Sequence, residues 1–154
     1  MKTKINVIVN GNFSEQQKHL EQVLRSQGVL NTYYNFIDVS EINSFFKMKS
    51  ERIKHCPELD SYAYEIIIDD ETTYYYLGDN NDIEFFSKKI KQLRTNDFLF
   101  TDISNKITNV HLNLSKIAEI TNPEIRNQIY LMHFNSADTI CESKELGFNV
   151  AIEE

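Results

Sequence analysis

YEIIIDDETTYYYLGDNNDIEFF, residues 64–86, holds three consecutive isoleucines, then three consecutive tyrosines, with acids on every side. Two β-branched or aromatic runs separated by Asp-Asp-Glu read as a β-hairpin. A tight turn at Asp70-Glu71 predicts that Ile68 pairs with Thr73, Ile66 with Tyr75 and Tyr64 with Leu77. Side chains alternate across a sheet. One face then carries Tyr64, Ile66, Ile68, Thr73, Tyr75 and Leu77 and is core. The other carries Glu65, Ile67, Asp69, Thr72, Tyr74 and Tyr76. The middle tyrosine goes inward, and its neighbours share a face with carboxylates. A loop of odd length would slip the register and exchange the assignments of one strand.

The hairpin sits in a regular frame. KINVIVN (4–10) reads as a strand. A helix with Ser14 as N-cap and Gln17 three residues on follows, its stripe Leu20, Val23 and Leu24, and Gly28 stops it. NTYYNFID (31–38) reads as a second strand, making an opening β-α-β unit with a parallel pair. Asp38 and Glu41 cap a predicted helix with Ile42, Phe45, Phe46 and Ile53 on one face, ended by Pro57. After the hairpin a helix over about 81–95 is capped by Asn81 and Glu84, with Ile83, Phe86, Ile90 and Leu93 as its stripe. DFLFTDI (97–103) and KITNVHLNL (106–114) read as strands. Asn122 and Pro123 open a predicted helix through TNPEIRNQIYLMHF. A short helix to Gly147 and a last strand at FNVAI (148–152) complete the chain. The expected fold is α/β (α+β): a single domain over residues 1–154, with a mixed sheet of about five to seven strands packed by three to five helices.

Composition narrows the function. At 154 residues the chain can bury roughly two thirds of its unfolded surface. No stretch approaches the ~20 apolar residues of a membrane span, and the N-terminus does not read as a signal peptide, so a cytoplasmic protein is expected. Cys56 and Cys141 lack metal or redox spacing and read as free thiols. The Asn, Ile and Lys load suits an AT-rich source, a low-GC bacterium or its phage. Net charge is −7, which argues against direct nucleic-acid binding. Nine acids and no Lys or Arg fall in 58–84, whereas the flanks 47–54 and 88–94 are basic.

Catalytic signatures are sparse. The first β-α loop, Asn10, Gly11, Asn12 and Ser14, offers helix N–H groups to an anion, but without a GxGxxG or Walker pattern. The acids of 69–82 lie on a turn and a loop, where solvated carboxylates are ordinary. His111-Leu112-Asn113 and His133-Phe134-Asn135 place Asn where a paired His-x-Thr/Ser motif needs a hydroxyl. No metal-ligating set and no cofactor are expected, and an enzyme is the less favoured class.

The expected function is therefore a small acidic protein-binding protein, an inhibitor or immunity-type protein acting in toxin immunity or phage anti-defence. Its binding face would be Glu65, Asp69, Asp70, Glu71, Tyr74, Tyr76, Asp79 and Asp82, set against a basic protein surface, in a monomer or small homo-oligomer. Two alternatives stand beside it: an enzyme or small-nucleotide binder with a pocket near the first β-α loop, and a structural or oligomeric accessory protein.

Overall fold

A computed structural model describes residues 4–9, 13–38, 41, 46–55, 61–106 and 108–151. The chain forms two compact units, Met1–Met48 and Lys49–Glu154.

In the first unit, strand β1 (Ile5–Val9), helix α1 (Phe13–Ser26) and strand β2 (Tyr34–Asp38) make the expected β-α-β. β1 and β2 are parallel, with Ile5 opposite Tyr34 and Val9 opposite Asp38. Gly28, at φ 75°, ends the helix as a left-handed stop. Ser14 lies inside α1 and not before it. Asn10, Gly11 and Asn12 of the predicted anion loop lie outside the described residues, as does Cys56.

The second unit carries a seven-stranded mixed sheet. Its strands are β3 (Lys47–Ile53), β4 (Ser61–Ile67), β5 (Thr73–Tyr76), β6 (Phe98–Ser104), β7 (Leu112–Asn113), β8 (Ile129–Met132) and β9 (Asn149–Val150). The order is β3-β4-β5-β6-β8-β9, with β7 beside β6. β5, β6, β8 and β9 run parallel in succession, and only the β4–β5 hairpin is shown antiparallel. Helices α2 (Ile83–Ile90), α3 (Leu114–Ile120), α4 (Ala137–Glu145) and a 3-10 turn (Pro123–Gln128) complete it. The mixed α/β class and the strand and helix numbers agree with the sequence reading. No helix among the described residues is long and apolar enough to cross a membrane.

The hairpin register differs from the predicted one by a residue. Tyr64 pairs with Tyr76, Glu65 with Tyr75, Ile66 with Tyr74 and Ile67 with Thr73. The turn is longer on one side: Asp69 Oδ1 accepts the backbone N–H groups of both Glu71 and Thr72. The β5 assignment survives, because Thr73, Tyr75 and Leu77 are buried while Tyr74 is half-buried and Tyr76 is 42% exposed. The β4 assignment is exchanged. Tyr64 and Ile66 join Tyr74 and Tyr76, and Glu65 joins Tyr75 on the helix-covered face.

Three further expectations are corrected. Residues 47–53 form β3 and not the end of a helix. This strand lies at the sheet edge, where a charged sequence is suited. Lys49 pairs with Glu65 at 3.2 Å, and Glu51 with Lys88 and Lys89 at 3.1 Å each. Of KITNVHLNL only Leu112–Asn113 is strand. Asn113 Oδ1 then accepts the N–H of Lys116 and caps α3. Residues 129–132, predicted helical, form β8, whose Ile129 and Leu131 are fully buried.

The core joins Tyr75, Leu77, Leu99, Ile103, Ile129 and Leu131 of the sheet side to Phe86 and Ile90 of α2 and Leu114 and Ile117 of α3. The opposite sheet face carries an aromatic row. Tyr74 stacks on Phe98 at 5.5 Å between ring centroids, and Phe100 on Tyr130 at 4.9 Å.

Asp97 anchors the hairpin to the sheet. Its fully buried carboxylate accepts N–H groups from Thr73 at 2.8 Å and Arg94 at 2.9 Å, and two guanidinium N–H groups of Arg94. Burial alone would push this carboxyl up; the bonds from Arg94 and Thr73 hold it below its ordinary value. A depressed carboxyl stabilises the fold above the ordinary carboxylate range and ceases to do so as pH falls through the folded value. Asp97→Ala leaves the buried Thr73 N–H unpaired and is expected to cost about 1–3 kcal/mol in urea unfolding at neutral pH. An unchanged midpoint would contradict that role.

Candidate metal centre

The parallel strands end on one side of the sheet, and four side chains converge there. At the end of β5 the chain turns at Gly78, φ 55°. The positive φ favours glycine, and a Cβ there would press on the Tyr76 ring at 3.3 Å. Gly78 delivers Asp79. Asp102 lies on β6, on the same sheet face as Phe98 and Phe100, and is 6% exposed. His111 immediately precedes β7, where Thr108 Oγ1 accepts its backbone N–H at 3.0 Å. His133 follows β8. Crevices at the C-terminal ends of parallel strands are where open α/β sheets place ligands.

Asp79, Asp102, His111 and His133 each present one donor atom, all within 4.8 Å of one another. His133 Nδ1 is 3.1 Å from Asp102 and 3.9 Å from Asp79. The His111 and His133 rings meet edge-on at 5.1 Å. His133 is the one non-glycine residue among those described with positive φ, 57°. A residue of that type pays roughly 1–3 kcal/mol to be held left-handed, a cost commonest at functional positions.

The electrostatics are those of a site short of positive charge. Burial first, then the hydrogen bond and charge of Asp79, push Asp102 up to about 7. Asp79 goes the other way, held down first by the hydrogen bond from Asp102, against burial, and then by the three neighbouring histidines. The two carboxylates thus share one proton. Burial pushes His111 below the ordinary imidazole range, and its buried Nδ1 has no hydrogen-bond partner. The neutral ring therefore offers a lone pair. Two carboxylate oxygens and two imidazole nitrogens are a donor set suited to a zinc-type divalent cation. A cation would take the place of the shared proton and satisfy the orphan nitrogen. The side chains of His133 and Asp79 remain 63% and 49% exposed, so the centre is open to solvent. Catalytic metal sites keep such an opening, whereas structural ones are closed.

The residues named from sequence do not form one surface. Asp79 belongs to the centre. Asp82 is the α2 cap in place of Asn81, accepting from Glu84 and Phe85, and pairs with Lys54 at 3.4 Å. Glu65 is paired with Lys49 on the far face. Asp69, Asp70 and Glu71 are exposed at the hairpin turn, where the Asp70 carbonyl accepts from Arg94. Tyr74 is stacked in the aromatic row and Tyr76 is exposed. The basic flanks thus neutralise part of the acidic stretch. Asp102 was not singled out, because a lone Asp in a hydrophobic strand carries no motif. Its place in an otherwise apolar alternation, FLFTDIS, was the available signal.

Between its ordinary value of 3.8 and about 7, the folded protein holds on Asp102 a proton that the unfolded chain has released. The Asp102 contribution to metal-free stability is therefore expected to fall as pH rises through that window and to level off above it, opposed below 6.5 by His111, whose lowered folded value acts with the opposite sign. The Asp79 shift acts only below 3.8. Urea melts in a chelator, at about pH 5 and about pH 8, should show the wild type losing stability relative to Asp102→Asn at the higher pH.

No curated protein matches the chain by sequence. Among solved structures, the metallo-β-lactamase fold protein YhfI from Bacillus subtilis superposes with a TM-score of 0.61 at 14% identity. The match covers 95% of this chain and 62% of that one, so the chain spans less than two thirds of that protein's length. At that identity the likeness shows the fold. The family model described as Anti-Pycsar protein Apyc1 matches residues 1–153. The chain belongs to the Anti-Pycsar protein Apyc1 family.

Proposed function

We propose that this anti-defence protein acts as a metal-dependent hydrolase, with Asp79, Asp102, His111 and His133 as its cation ligands. The observation that carries the reading is the convergence of these four donors in a solvent-open crevice at the strand ends. A bound divalent cation there would supply an activated water and polarise a phosphoryl or carbonyl oxygen. The protein's own groups do the rest. Asp102, buried and 3.1 Å from His133 Nδ1, fixes that ring. His133 and Asp79 are the groups accessible to a substrate. Tyr76, pushed up by burial first and then by Asp102 and Asp79, keeps its hydroxyl proton at neutral pH and is a donor beside the crevice.

A second reading keeps the anti-defence role but makes it stoichiometric. The exposed turn Asp69-Asp70-Glu71 and the exposed Tyr76 would dock a basic protein surface. No cation is needed in that case.

One assay separates them. Bis(p-nitrophenyl) phosphate is a chromogenic phosphodiester probe. Protein reconstituted with Zn²⁺ or Mn²⁺ should hydrolyse it, and a chelator should stop the reaction. Removing a residue that merely orients a metal ligand costs 10–100-fold, so Asp102→Ala or His111→Ala should cost about 100-fold or more. The triple variant Asp69→Lys/Asp70→Lys/Glu71→Lys should keep full hydrolysis. No turnover with any divalent metal would move the weight to the docking reading.

A further inference from the structure

Asn81 lies two residues after Asp79 in the chain, and Asn109 lies two residues before His111. The Asn81 side-chain Nδ2 donates to the Asn109 carbonyl. The loops that deliver two of the four donors are thus joined at equal removes from them. We propose that Asn81 is a positioning residue of the cation centre, clamping the Asp79 loop to the His111 loop so that their donor atoms stay within reach of one ion. The inference rests on the cation centre proposed above and gives that centre a support outside its donor set. A binding constellation must be held within about 0.5 Å of its working geometry by the residues behind it.

The clamp has three arms. Besides Asn109, the same Nδ2 serves the His55 carbonyl at 2.6 Å. The Asn81 backbone N–H donates to the Lys54 carbonyl at 3.1 Å. An amide NH₂ carries two hydrogens, and here each goes to a backbone carbonyl of a different segment. Asn81 therefore grips the chain leaving β3 as well as the His111 loop. Its neighbours are themselves fixed. Asn80 Oδ1 accepts the Asp82 N–H at 2.8 Å. Asp82 Oδ1 accepts from Glu84 and Phe85 at 3.1 Å each and seats the start of α2.

A grip on Asn109 reaches His111 only if the chain between them is stiff. Thr108 supplies the stiffness. Its Oγ1 accepts the His111 N–H at 3.0 Å and lies 3.3 Å from the His111 carbonyl, closing residues 108–111 into one turn. Beyond that turn, Leu112 pairs with Ile103 of β6. His111 is thus fixed by the sheet on one side and by the Asn81 clamp on the other. Asp79 is placed in the same manner: the Gly78 carbonyl before it accepts the Asp102 N–H at 3.3 Å, and Asn81 follows it. The competing role for Asn81 is stability alone, with its hydrogen bonds tying segments together and no effect on the donors.

The test is metal binding to the full chain, with far-UV circular dichroism as the folding control. Calorimetry should show wild type binding one Zn²⁺. Asn81→Ala should weaken that binding about tenfold, the low end of what loss of a support around a metal ligand costs. At saturating Co²⁺, the visible absorption bands of Asn81→Ala should move from those of wild type toward those of His111→Ala, a signature that stability alone would not produce. If Asn81→Ala does not fold, Asn81→Ser is read instead. Its hydroxyl hydrogen can serve one carbonyl only, and it should lose affinity several-fold with the same direction of change in the bands. Wild-type Zn²⁺ affinity in the folded variant, or weakened affinity with wild-type Co²⁺ bands, would overturn the positioning role and leave the four-donor centre standing. Absence of Zn²⁺ binding by wild type would overturn the centre, and this inference with it.

Discussion

Two carboxylates on neighbouring strand ends, Asp79 and Asp102, cannot both be ionised at close range without help. Everything around them bears on that constraint. Asp102 is buried in a sheet whose adjacent β6 residues are hydrophobic or hydroxylic, so it cannot retreat to solvent. Asp79 is half in solvent and keeps its charge. Three imidazoles surround the pair. One, His111, is held neutral by burial with a nitrogen unpartnered. A second, His55, has its tautomer fixed by Val110. The third, His133, is held in a left-handed backbone conformation beside Asp102. A proton satisfies this arrangement poorly, because it can serve only one pair of acceptors. A divalent cation would serve Asp79, Asp102, His111 and His133 at once.

The fold supplies the convergence by simple means. β5, β6 and β8 are parallel neighbours, so their C-terminal ends fall on one side of the sheet. Each end then contributes one group: Asp79 after Gly78, Asp102 from within β6, and His133 directly after β8. The loop between β6 and β7 returns His111 to the same place. The helix-covered face beneath is packed with Leu77, Leu99, Leu131, Phe86 and Ile117, all fully buried. That rigid floor gives the ligands fixed positions, which a metal site requires.

Much of the frame was legible in the sequence and the centre was not, for separate physical reasons. The period-two alternation of Tyr74, Tyr75 and Tyr76 placed the middle ring inward whatever the loop did, because β5 contacts the core directly. The β4 residues depended on loop length, and the Asp69 side chain capping two N–H groups shifted them by one. Ile42 to Ile53 has helical spacing, but over 47–53 pairing with β4 and ion pairs to Glu65, Lys88 and Lys89 override it. Asn81 with Glu84 fits a capping box, but Asp82, one residue on, accepts the N–H groups that open α2. The centre draws single residues from positions 79, 102, 111 and 133, with no fixed short spacing between any two. His111 and His133 stood out only as a His-x-Asn pair lacking the hydroxyl of a His-x-Thr/Ser motif. Nothing local links them to Asp102, whose role comes from strand order. The acidic stretch read as one surface because its sequence is continuous, whereas the sheet sends its members to opposite faces and to the basic flanks.

The most direct measurement is a crystal structure of the full chain grown with Zn²⁺, with anomalous data collected at the zinc absorption edge. One peak bonded to Asp79, Asp102, His111 and His133 is the expected result. An empty crevice with the two carboxylates still joined by a proton, or zinc held only by scattered surface groups such as Asp69 and Asp70, would contradict the metal centre on which the proposed hydrolase rests.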